Sequence, residues 1–273
     1  MSGKLYVVGT PIGNLGDLSP RAVDVLDSVD FIAAEDTRVT MKLLTHFNIK
    51  KEMVSYFEHN KRVRGEIICT RIANGESCAI VTDAGMPAIS DPGEDLVKLC
   101  HEMGIEVESV PGPTAFATAL AISGMPSGRF TFEGFLSVNK KSRREHLEEI
   151  KDEKRTLIFY EAPHKLSNTL KDLYNILGDR ALAIVREITK MHEQVIRTTL
   201  REAAEVYSNG GIKGEIVLII EGKKAEQTAE ITLDDAVNMA KELVEKGMSV
   251  NNAAKETAAH TPFKKGDIYK ALL

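Results

Sequence analysis

The first 123 residues alternate between short apolar runs, which are typical of β-strands, and segments with helical spacing. Ser19-Pro20 begins one helical segment with an N-cap residue and a proline at the first helical position. Asn74-Gly75 ends another segment with a common C-terminal helix signal. This alternation predicts an α/β fold with a mainly parallel sheet and helices on its faces. The predicted strands are Leu5–Val8, Phe31–Ala34, Met53–Phe57, Ser77–Val81 and Glu106–Val110.

The pattern changes after Gly124–Gly128, which we interpret as a hinge. Strand-like runs then follow one another more closely, and several gaps are too short for the crossover that parallel strands need. A helix is expected to open at Pro163. This spacing therefore predicts a second α/β domain with a mixed sheet over residues 129–224. Its strands are expected at Arg129–Phe135, Thr156–Tyr160, Ala181–Arg186, Gln194–Thr199 and Glu215–Ile220.

The C-terminal segment is predicted to be a separate helical tail. Glu226–Glu230 is a polar spacer, and the remainder has helical spacing interrupted at Gly247 and at Thr261-Pro262. We expect three short helices, an arrangement that resembles a helix-turn-helix module. Residues 249–273 carry four lysines and two acidic residues, so the tail either binds nucleic acid or only packs against the rest of the chain. The predicted domains are residues 1–123, 129–224 and 231–273.

Composition excludes several classes of protein. Of the 273 residues, 43% are apolar and 27% charged, as in ordinary globular proteins. No apolar run approaches the ~18 residues that span a bilayer, and no secretory signal is recognisable. Cys69, Cys78 and Cys100 lack C-x-x-C spacing and the seven histidines lack ligand spacing, which argues against a disulfide framework or a metal site and favours the cytoplasm. The formal charge of −5 means that nucleic-acid binding would depend on local basic clusters.

Loops rich in glycine and proline follow the predicted strands of the first domain. The loop after the fourth strand reads T-D-A-G-M-P-A-I-S-D-P-G (Thr82–Gly93), and Pro111–Ala115 follows the next strand. Loops at the carboxyl ends of strands in an open α/β sheet form ligand sites, so these two predict a pocket. The polar clusters Glu35–Arg38 and Glu58–Asn60 are expected at the same edge. The loop Gly9–Gly16 is also expected at this edge. It has neither the G-x-G-x-x-G nor the G-K-[ST] pattern of nucleotide-binding loops.

Charged side chains follow two strands of the second domain, and a basic cluster begins one of its helices. Tyr160–Lys165 and Arg186–Glu193 contain Glu, His, Lys and Arg side chains that suit acid–base chemistry, and Lys213–Glu215 is a weaker signal of the same kind. A surface ion-pair network explains this composition equally well. The cluster Lys140–Arg144 suits a phosphate backbone, although a solvated helix is at least as good an explanation.

Seven strings, in order, resemble the tetrapyrrole methylase superfamily and, more narrowly, its ribosomal RNA small subunit methyltransferase I family. The resemblance extends from about residue 4 to residue 222. Corrin methylases of the superfamily usually have G-x-G-x-G in the first loop and G-D-P in the third, patterns from which Gly9–Gly13 and Gly85–Pro87 depart. The strings are L-Y-V-V-G-T-P-I-G-N-L from Leu5, A-A-E-D-T-R from Ala33, T-D-A-G-M-P-A-I-S-D-P-G from Thr82, P-G-P-T-A from Pro111, F-Y-E-A-P-H-K-L from Phe159, R-E-I-T-K-M-H-E from Arg186 and K-G-E-I-V-L-I-I-E-G from Lys213.

The resemblance implies a two-domain tetrapyrrole-methylase-like fold and an enzyme that uses S-adenosylmethionine. The implied reaction is methylation of the ribose 2′-hydroxyl of a cytidine in the decoding region of small-subunit (16S) ribosomal RNA, without a metal. A homodimer is implied, with the RNA or the small ribosomal subunit as partner. The methyl donor would lie between the two domains, held mostly by backbone groups. The residues expected to bind it are Ile12, Gly85, Met86, Ile89, Thr114, Ala115, Tyr160 and Glu215.

Charged residues on both sides of the expected cleft are candidates for the chemistry. A base or a cation must favour the ribose alkoxide as it attacks the sulfonium methyl group. The catalytic candidates are Lys190, Glu161 and Glu187 in the second domain and Asp36 and Glu58 in the first. Lys165 stands where the family often has arginine, which argues against a bidentate phosphate contact there. The residues expected to contact RNA are Pro11, Asn14, Glu35, Asp36, Thr37, Arg38, Glu58, Lys140, Lys141, Arg143 and Arg144.

Two other functions fit the sequence. An enzyme of the same fold that methylates a small substrate, such as a corrin precursor, is favoured by the acidic isoelectric point of about 5.9. A non-catalytic ribosome-binding factor would keep the fold and lack the cofactor. Methyl transfer to precorrins would identify the first, and failure to bind S-adenosylmethionine would identify the second.

Overall fold

A computed structural model describes residues 3–224 and 231–273 of the chain. Its strands form two five-stranded sheets. The residues up to Lys223 pack as one compact unit, which contains both sheets, and the residues from Lys224 onward pack as a second unit. The predicted spacer Glu226–Glu230 lies outside the described residues.

The first sheet consists of β1 (Lys4–Val8), β2 (Phe31–Ala34), β3 (Glu52–Ser55), β4 (Cys78–Val81) and β5 (Glu106–Val110). All neighbouring strands are parallel, in the order β3-β2-β4-β1-β5. Since β1 lies between β4 and β5, the loops that follow these three strands leave the sheet side by side.

Helices cover both faces of the first sheet because its strands are apolar on both sides. Leu5 and Val7 contribute to the core on one face, and Val8 contributes to the core on the other. These helices are α1 (Pro20–Ser28), α2 (Thr37–His46), α3 (Lys61–Ala73) and α4 (Gly93–Glu102). A short 3₁₀ helix (Leu15–Asp17) follows the β1 loop, and α5 (Ala115–Ser123) follows β5. Residues of α3 and α4 pack in the first of these cores, and residues of α1 and α2 pack in the second.

The second sheet consists of β6 (Phe130–Phe135), β7 (Thr156–Glu161), β8 (Ala181–Arg186), β9 (Gln194–Thr199) and β10 (Ile216–Ile220). Its order is β6-β7-β10-β8-β9. β6 and β7 are parallel, and the other neighbours are antiparallel. A parallel sheet followed by a mixed sheet confirms the predicted fold class. Each sheet comes from one of the predicted α/β segments, whose exact boundaries stay a prediction.

One face of the second sheet is covered by α6 (Lys140–Glu149), α7 (Leu166–Leu177) and α8 (Leu200–Val206). The start predicted for α7 at Pro163 is wrong. Residues 162–165 form a turn in which the Lys165 N–H donates to the Ala162 carbonyl (2.9 Å), so the helix begins three residues later.

The opposite face of the second sheet is covered by α5, although this helix follows β5 of the first sheet. Ala119 and Leu120 of α5 pack in one core with Ile158 and Val217 of the second sheet. Ile12 from the β1 loop belongs to the same core. This packing holds the carboxyl edge of the first sheet against the second sheet.

The C-terminal unit contains α9 (Leu233–Glu245), α10 (Val250–His260) and α11 (Lys265–Leu272), in agreement with the predicted helical tail. A capping box formed by Thr232 and Asp235 begins α9. The core of the unit uses small side chains, which allow the helices to approach closely. Its buried members are Ala236, Ala240, Ala253, Ala254 and Ile268.

Candidate functional site

A cleft of about 260 Å³ lies where the strand-end loops of the first sheet meet the second sheet. All eight residues predicted to hold a cofactor line this cleft, and Glu35 and Glu161 line it too. Contact between these eight residues and a cofactor stays a prediction, because the lining residues define a space without identifying the ligand that fills it. The other lining residues are Thr82, Ala84, Ser90, Asp91, Phe135, Ile188, Ile216 and Val217.

Backbone hydrogen bonds join the loop after β1 to the loop after β4. The Thr10 N–H donates to the Gly85 carbonyl (2.9 Å), and the Gly85 N–H donates to the Thr10 carbonyl (3.2 Å). The buried Thr10 hydroxyl also donates to the Thr82 carbonyl (3.1 Å). These bonds fix Ile12 and Gly85 relative to each other on one wall of the cleft.

Close approaches between the loops require glycine at two points. A Cβ atom on Gly9 would lie 2.6 Å from the Cα atom of Gly112, so the β1 and β5 loops touch backbone to backbone. Gly85 has a φ of +94°, and a Cβ atom there would lie 3.3 Å from Cγ2 of Ile12. Any side chain at Gly85 would therefore be strained and would enter space beside the cleft.

Asp91 holds the outer part of the β4 loop in a tight turn. Its carboxylate accepts hydrogen bonds from the N–H groups of Ala88 (3.0 Å), Ile89 (3.2 Å) and Gly93 (2.8 Å). Ala88 and Ser90 have φ values of +66° and +65°, which are uncommon for residues other than glycine. Such conformations persist where the surrounding structure imposes them, and they are concentrated at ligand sites.

The first turn of α5 begins at the cleft. Thr114 is the N-cap residue, but its side chain makes no capping hydrogen bond. The Phe116 N–H donates to the Tyr160 hydroxyl (3.2 Å), which joins the helix to β7. Burial raises the pKa of Tyr160, so its side chain is a neutral phenol at neutral pH. The uncapped N–H groups of this turn are available to polar atoms of a ligand.

Lys190 and Glu187, which follow β8, form a charged cluster with Glu215, which precedes β10. The Lys190 ammonium donates to Glu187 Oε1 and to Glu215 Oε2, each at 3.1 Å. Burial lowers the pKa of Lys190, but these two bonds outweigh it and leave the pKa above its ordinary value. The Glu215 N–H and the Lys190 ammonium hold the pKa of Glu187 below its ordinary value. A Cβ atom on Gly13 would lie 2.7 Å from Lys190 Cγ, so the β1 loop packs against this cluster.

Glu161 is a buried carboxylate at the end of β7. Its Oε2 accepts a hydrogen bond from the Thr169 hydroxyl of α7, and its Oε1 accepts one from the Ala162 N–H (2.7 Å). Both oxygens are thus engaged by the protein, which gives this residue a positioning role between β7 and α7.

Three carboxylates follow β2 and β4, and one of them, that of Glu35, lines the cleft. The Thr82 hydroxyl donates to Glu35 (2.5 Å), and the Asp36 N–H donates to Asp83 (3.1 Å). Removal from solvent and the neighbouring Glu35 both raise the pKa of Asp83. The side chain and the backbone N–H of Arg38 both donate to Asp36, which lowers the pKa of Asp36 to about 2. Asp36 therefore begins α2 as its N-cap and is a weak base.

Several residues predicted to contact RNA lie elsewhere. Asn14 caps the short 3₁₀ helix by accepting from the Gly16 N–H (3.0 Å). Glu58 pairs with Lys61 (2.8 Å). The described residues that line the cleft include neither the RNA candidates Pro11, Asn14, Asp36, Thr37, Arg38 and Glu58 nor the catalytic candidates Glu187 and Lys190.

The predicted basic cluster lies mostly on a groove of about 610 Å³ between α6 and α7. Four basic side chains, those of Lys140, Arg143, Arg144 and Lys171, line it with the acidic Glu148 and Asp172. Arg143 pairs with Asp172 (2.7 Å) and its side chain is 13% exposed. Lys141 is not among the described groove residues, and it lies 3.8 Å from Glu145.

Eight of the lining residues were not predicted as individual contacts. Thr82, Ser90 and Asp91 belong to the β4 loop that predicted the pocket, so a signal for them was present. Ile188 and Val217 are apolar and have no chemistry that would distinguish them from core residues. Phe135 is the last residue of a predicted strand, and its place in the cleft depends on strand pairing.

Two classes of feature are absent from residues 3–224 and 231–273. No group of three or more His, Cys, Asp or Glu side chains in these ranges is arranged to hold a metal ion. No helix in them has both the length and the apolar character needed to cross a membrane.

Comparison with known proteins identifies the family. The sequence model of the tetrapyrrole (corrin/porphyrin) methylases matches residues 4–204. The chain is 44% identical, over 272 residues, to a ribosomal RNA small subunit methyltransferase I of Synechocystis sp., and the match covers 99% of this chain and 98% of that one. The chain belongs to the tetrapyrrole methylase family, in its ribosomal RNA small subunit methyltransferase I group.

Two further similarities extend this assignment. A protein of the same name from Thermotoga maritima is 47% identical, and the match covers 100% of that protein but 81% of this chain. The solved structure of a uroporphyrin-III C-methyltransferase from Thermus thermophilus, complexed with S-adenyl homocysteine, has a TM-score of 0.57 and 19% identity. That match covers 80% of this chain and 97% of the other, and it shows a shared fold.

Proposed function

We propose that this family member transfers a methyl group from S-adenosylmethionine to small-subunit (16S) ribosomal RNA. The proposed acceptor is the ribose 2′-hydroxyl of a cytidine in the decoding region. The names of the relatives support methyl transfer to this RNA. The observation that carries the proposal is the cleft, because all eight residues expected to hold the donor line the same space.

The chemistry of the cleft residues fits the donor. When bound, S-adenosylmethionine supplies an electrophilic methyl group on a positively charged sulfur. The carboxylates of Glu35 and Glu215 provide negative charge that suits this sulfonium. Ile12 and Val217 provide apolar surface for an adenine ring. The uncapped N–H groups at the start of α5 suit the carboxylate of the amino-acid part.

The charged residues beside the cleft favour catalysis by alignment. Lys190 is an ammonium at neutral pH because its pKa is raised, so it is not a general base. Glu161 has both oxygens engaged by the protein. Glu187 accepts hydrogen bonds from Lys190 and from the Glu215 N–H. We infer that Lys190 and Glu187 position the β8–β9 loop and that Glu161 positions β7 against α7. The rate then depends mainly on holding the ribose hydroxyl in line with the methyl group.

Electrostatics supports the groove between α6 and α7 as the contact for the RNA backbone. The chain as a whole is acidic, so attraction to a polyanion requires a local excess of positive charge. The groove has that excess, with four basic and two acidic side chains. Lys140 and Lys171 have no ion-pair partner among the described residues, which leaves both free to contact phosphates.

The deciding experiment uses small ribosomal subunits purified from cells that lack this protein. Incubation with the protein and S-adenosylmethionine should add a methyl group that mass spectrometry locates on the ribose of one cytidine. The adjacent linkage should then resist alkaline hydrolysis, because that cleavage needs a free 2′-hydroxyl. A methyl group on a base would contradict the proposed acceptor. Methylation of a precorrin instead of the subunit, or no binding of S-adenosylmethionine at millimolar concentration, would contradict the proposed function.

Oligomeric state and location follow from the family resemblance and stay proposals. We propose a homodimer that acts in the cytoplasm on ribosomal RNA or on the small subunit. Light scattering at micromolar concentration should give the mass of two chains, and the mass of one chain would contradict the dimer.

A further inference from the structure

We propose that Phe135 is the surface on which the acceptor base stacks while its ribose is methylated. The inference rests on the proposed function and deepens it, since it names an unstacked pyrimidine base as the part of the substrate that binds at the edge of the cleft. Enzymes that act on single nucleotides commonly hold the displaced base against an aromatic side chain.

A β-bulge in β6 directs Phe135 toward the cleft. The pairing of β6 with β7 shifts between Phe132 and Gly134, which leaves Glu133 as an extra residue. Side chains alternate along a strand, so Phe132 and Phe135, three residues apart, would face opposite sides of a regular sheet. The bulge pairs Phe135 with Tyr160 and brings both phenylalanines to the same side. Gly134 makes this path possible with a φ of +63°.

The ring of Phe135 contacts Tyr160 and is otherwise largely exposed. Its centroid lies 5.4 Å from that of Tyr160, with an angle of 56° between the ring planes. Tyr160 is itself held by the hydrogen bond from the Phe116 N–H. Phe135 nevertheless remains 60% exposed while lining the cleft. An exposed aromatic side chain at a binding cleft is the kind of group on which an unstacked base stacks.

The position of Phe135 favours the acceptor over the donor. It is the most exposed aromatic residue among those that line the cleft, whereas the residues expected to hold the donor include buried ones such as Ile12 and Gly85. Five residues after Phe135, α6 begins with Lys140 of the basic groove. Five extended residues span at most about 18 Å, so one RNA strand can contact the ring with a base and the groove with its phosphates.

Phe135→Ala is the first test, with purified subunits as substrate and calorimetry for the donor. We expect the KM for small subunits to rise about tenfold, as is typical for loss of one stacked base, while the Kd for S-adenosylmethionine changes less than twofold. Phe135→Leu, which keeps an apolar side chain without a ring, should resemble Phe135→Ala. Phe135→Tyr should keep the KM of the natural protein. The control is Phe130→Ala, because Phe130 is 40% exposed on the same strand and is not among the described cleft residues.

Phe135→Trp provides a spectroscopic test, since the chain has no other tryptophan. Its fluorescence should be quenched by an oligocytidylate RNA, because the bases stack on the indole. An abasic oligomer with the same ribose-phosphate backbone should bind through the groove and leave the fluorescence unchanged. Equal quenching by the two oligomers would overturn the inference.

Three further outcomes would overturn it. They are an unchanged KM in Phe135→Ala, full activity in Phe135→Leu, and a loss of donor affinity as large as the loss of subunit affinity. Failure of the proposed function has a different signature, because the natural protein itself would then not methylate the subunit. Active natural protein with an equally active Phe135→Ala variant refutes the stacking role alone.

Discussion

Close backbone contacts shape the cleft at the scale of single residues. The Thr10–Gly85 bridge and the contact between Gly9 and Gly112 bring three strand-end loops together without charged side chains. The carboxylates nearby have structural partners: Glu161 binds Thr169 and Asp36 caps α2. Glycine contacts hold the loops of the cleft together, whereas the carboxylates hold neighbouring elements. We therefore expect glycine substitutions to reduce ligand binding more than the loss of any one of these charges.

Gly85→Val should abolish binding of S-adenosylmethionine and leave the fold intact. The substitution adds side-chain atoms beside Ile12 and imposes a strained φ that costs about 1–3 kcal/mol. Gly104→Val is the matched control, because Gly104 also has a positive φ (+68°) but no atom lies within 4 Å of its Cβ position. Calorimetry should show lost affinity for Gly85→Val alone, with both circular dichroism spectra unchanged. Retained affinity in Gly85→Val would refute the position assigned to the donor.

The pKa of Glu187 predicts a pH dependence of stability. Its folded pKa lies below the unfolded value of ~4.3, so the ionised carboxylate stabilises the fold. This contribution is complete above the unfolded pKa and is lost as the pH falls through the folded pKa. In urea unfolding, Glu187→Gln should lower the free energy of unfolding at pH 7 and reduce its decline between about pH 5 and pH 3. The exposed Glu205→Gln is the control, and an identical pH profile in both variants would contradict the prediction.

Three helices organise the cleft and the basic groove. The helix α5 begins at the β5 loop and packs on the second sheet, so it sets the distance between the walls of the cleft. The pair α6 and α7 has no part in that packing and covers the other face of the second sheet with its apolar side. Its polar side forms the basic groove.

Lys140→Ala and Lys171→Ala should each weaken binding to small subunits. Each removes one contact to a phosphate, so the slope of log K against log salt concentration should decrease by about one unit per variant. Lys141→Ala is the control, because Lys141 lies outside the described groove and pairs with Glu145. Fluorescence anisotropy at several salt concentrations gives the slopes. Equal effects of all three variants would show nonspecific attraction without use of the groove.

At the scale of the whole molecule, the described lining residues of the cleft all precede residue 218, within the first compact unit. The C-terminal unit has a core of its own. The relative from Thermotoga maritima matches along its entire length and still leaves about a fifth of this chain unmatched, an amount close to the size of this unit.

Deletion of residues 224–273 should leave the affinity for S-adenosylmethionine unchanged and weaken binding to small subunits. The physical reason for the second effect is the local excess of lysine in residues 249–273, which favours phosphate contacts. Calorimetry with the donor and a KM measurement with subunits separate the two effects. Full methylation by the shortened protein at an unchanged KM would show that the tail takes no part in RNA binding.

Local sequence patterns were sufficient to predict the fold class and the set of loops that form the cleft. Periodicity and turn residues act locally, so the alternation of strands and helices is written in short stretches such as Ser77–Val81. The carboxyl ends of parallel strands meet at one edge, which brings the Thr82–Gly93 and Pro111–Ala115 loops together without further information. The sequence strings that resemble the family then predicted which residues of these loops contact the ligand.

Which side chains are free to act depends on contacts that form only in the folded chain. Glu161 accepts a hydrogen bond from Thr169, and Lys190 donates one to Glu215. No local sequence pattern predicts contacts between residues this far apart in the chain. The same holds for Phe135, whose orientation depends on one extra residue in the pairing of β6 with β7. Hydrogen-bond partners and strand register are set by packing between distant segments, and for that reason the roles of these residues could not be read from the sequence.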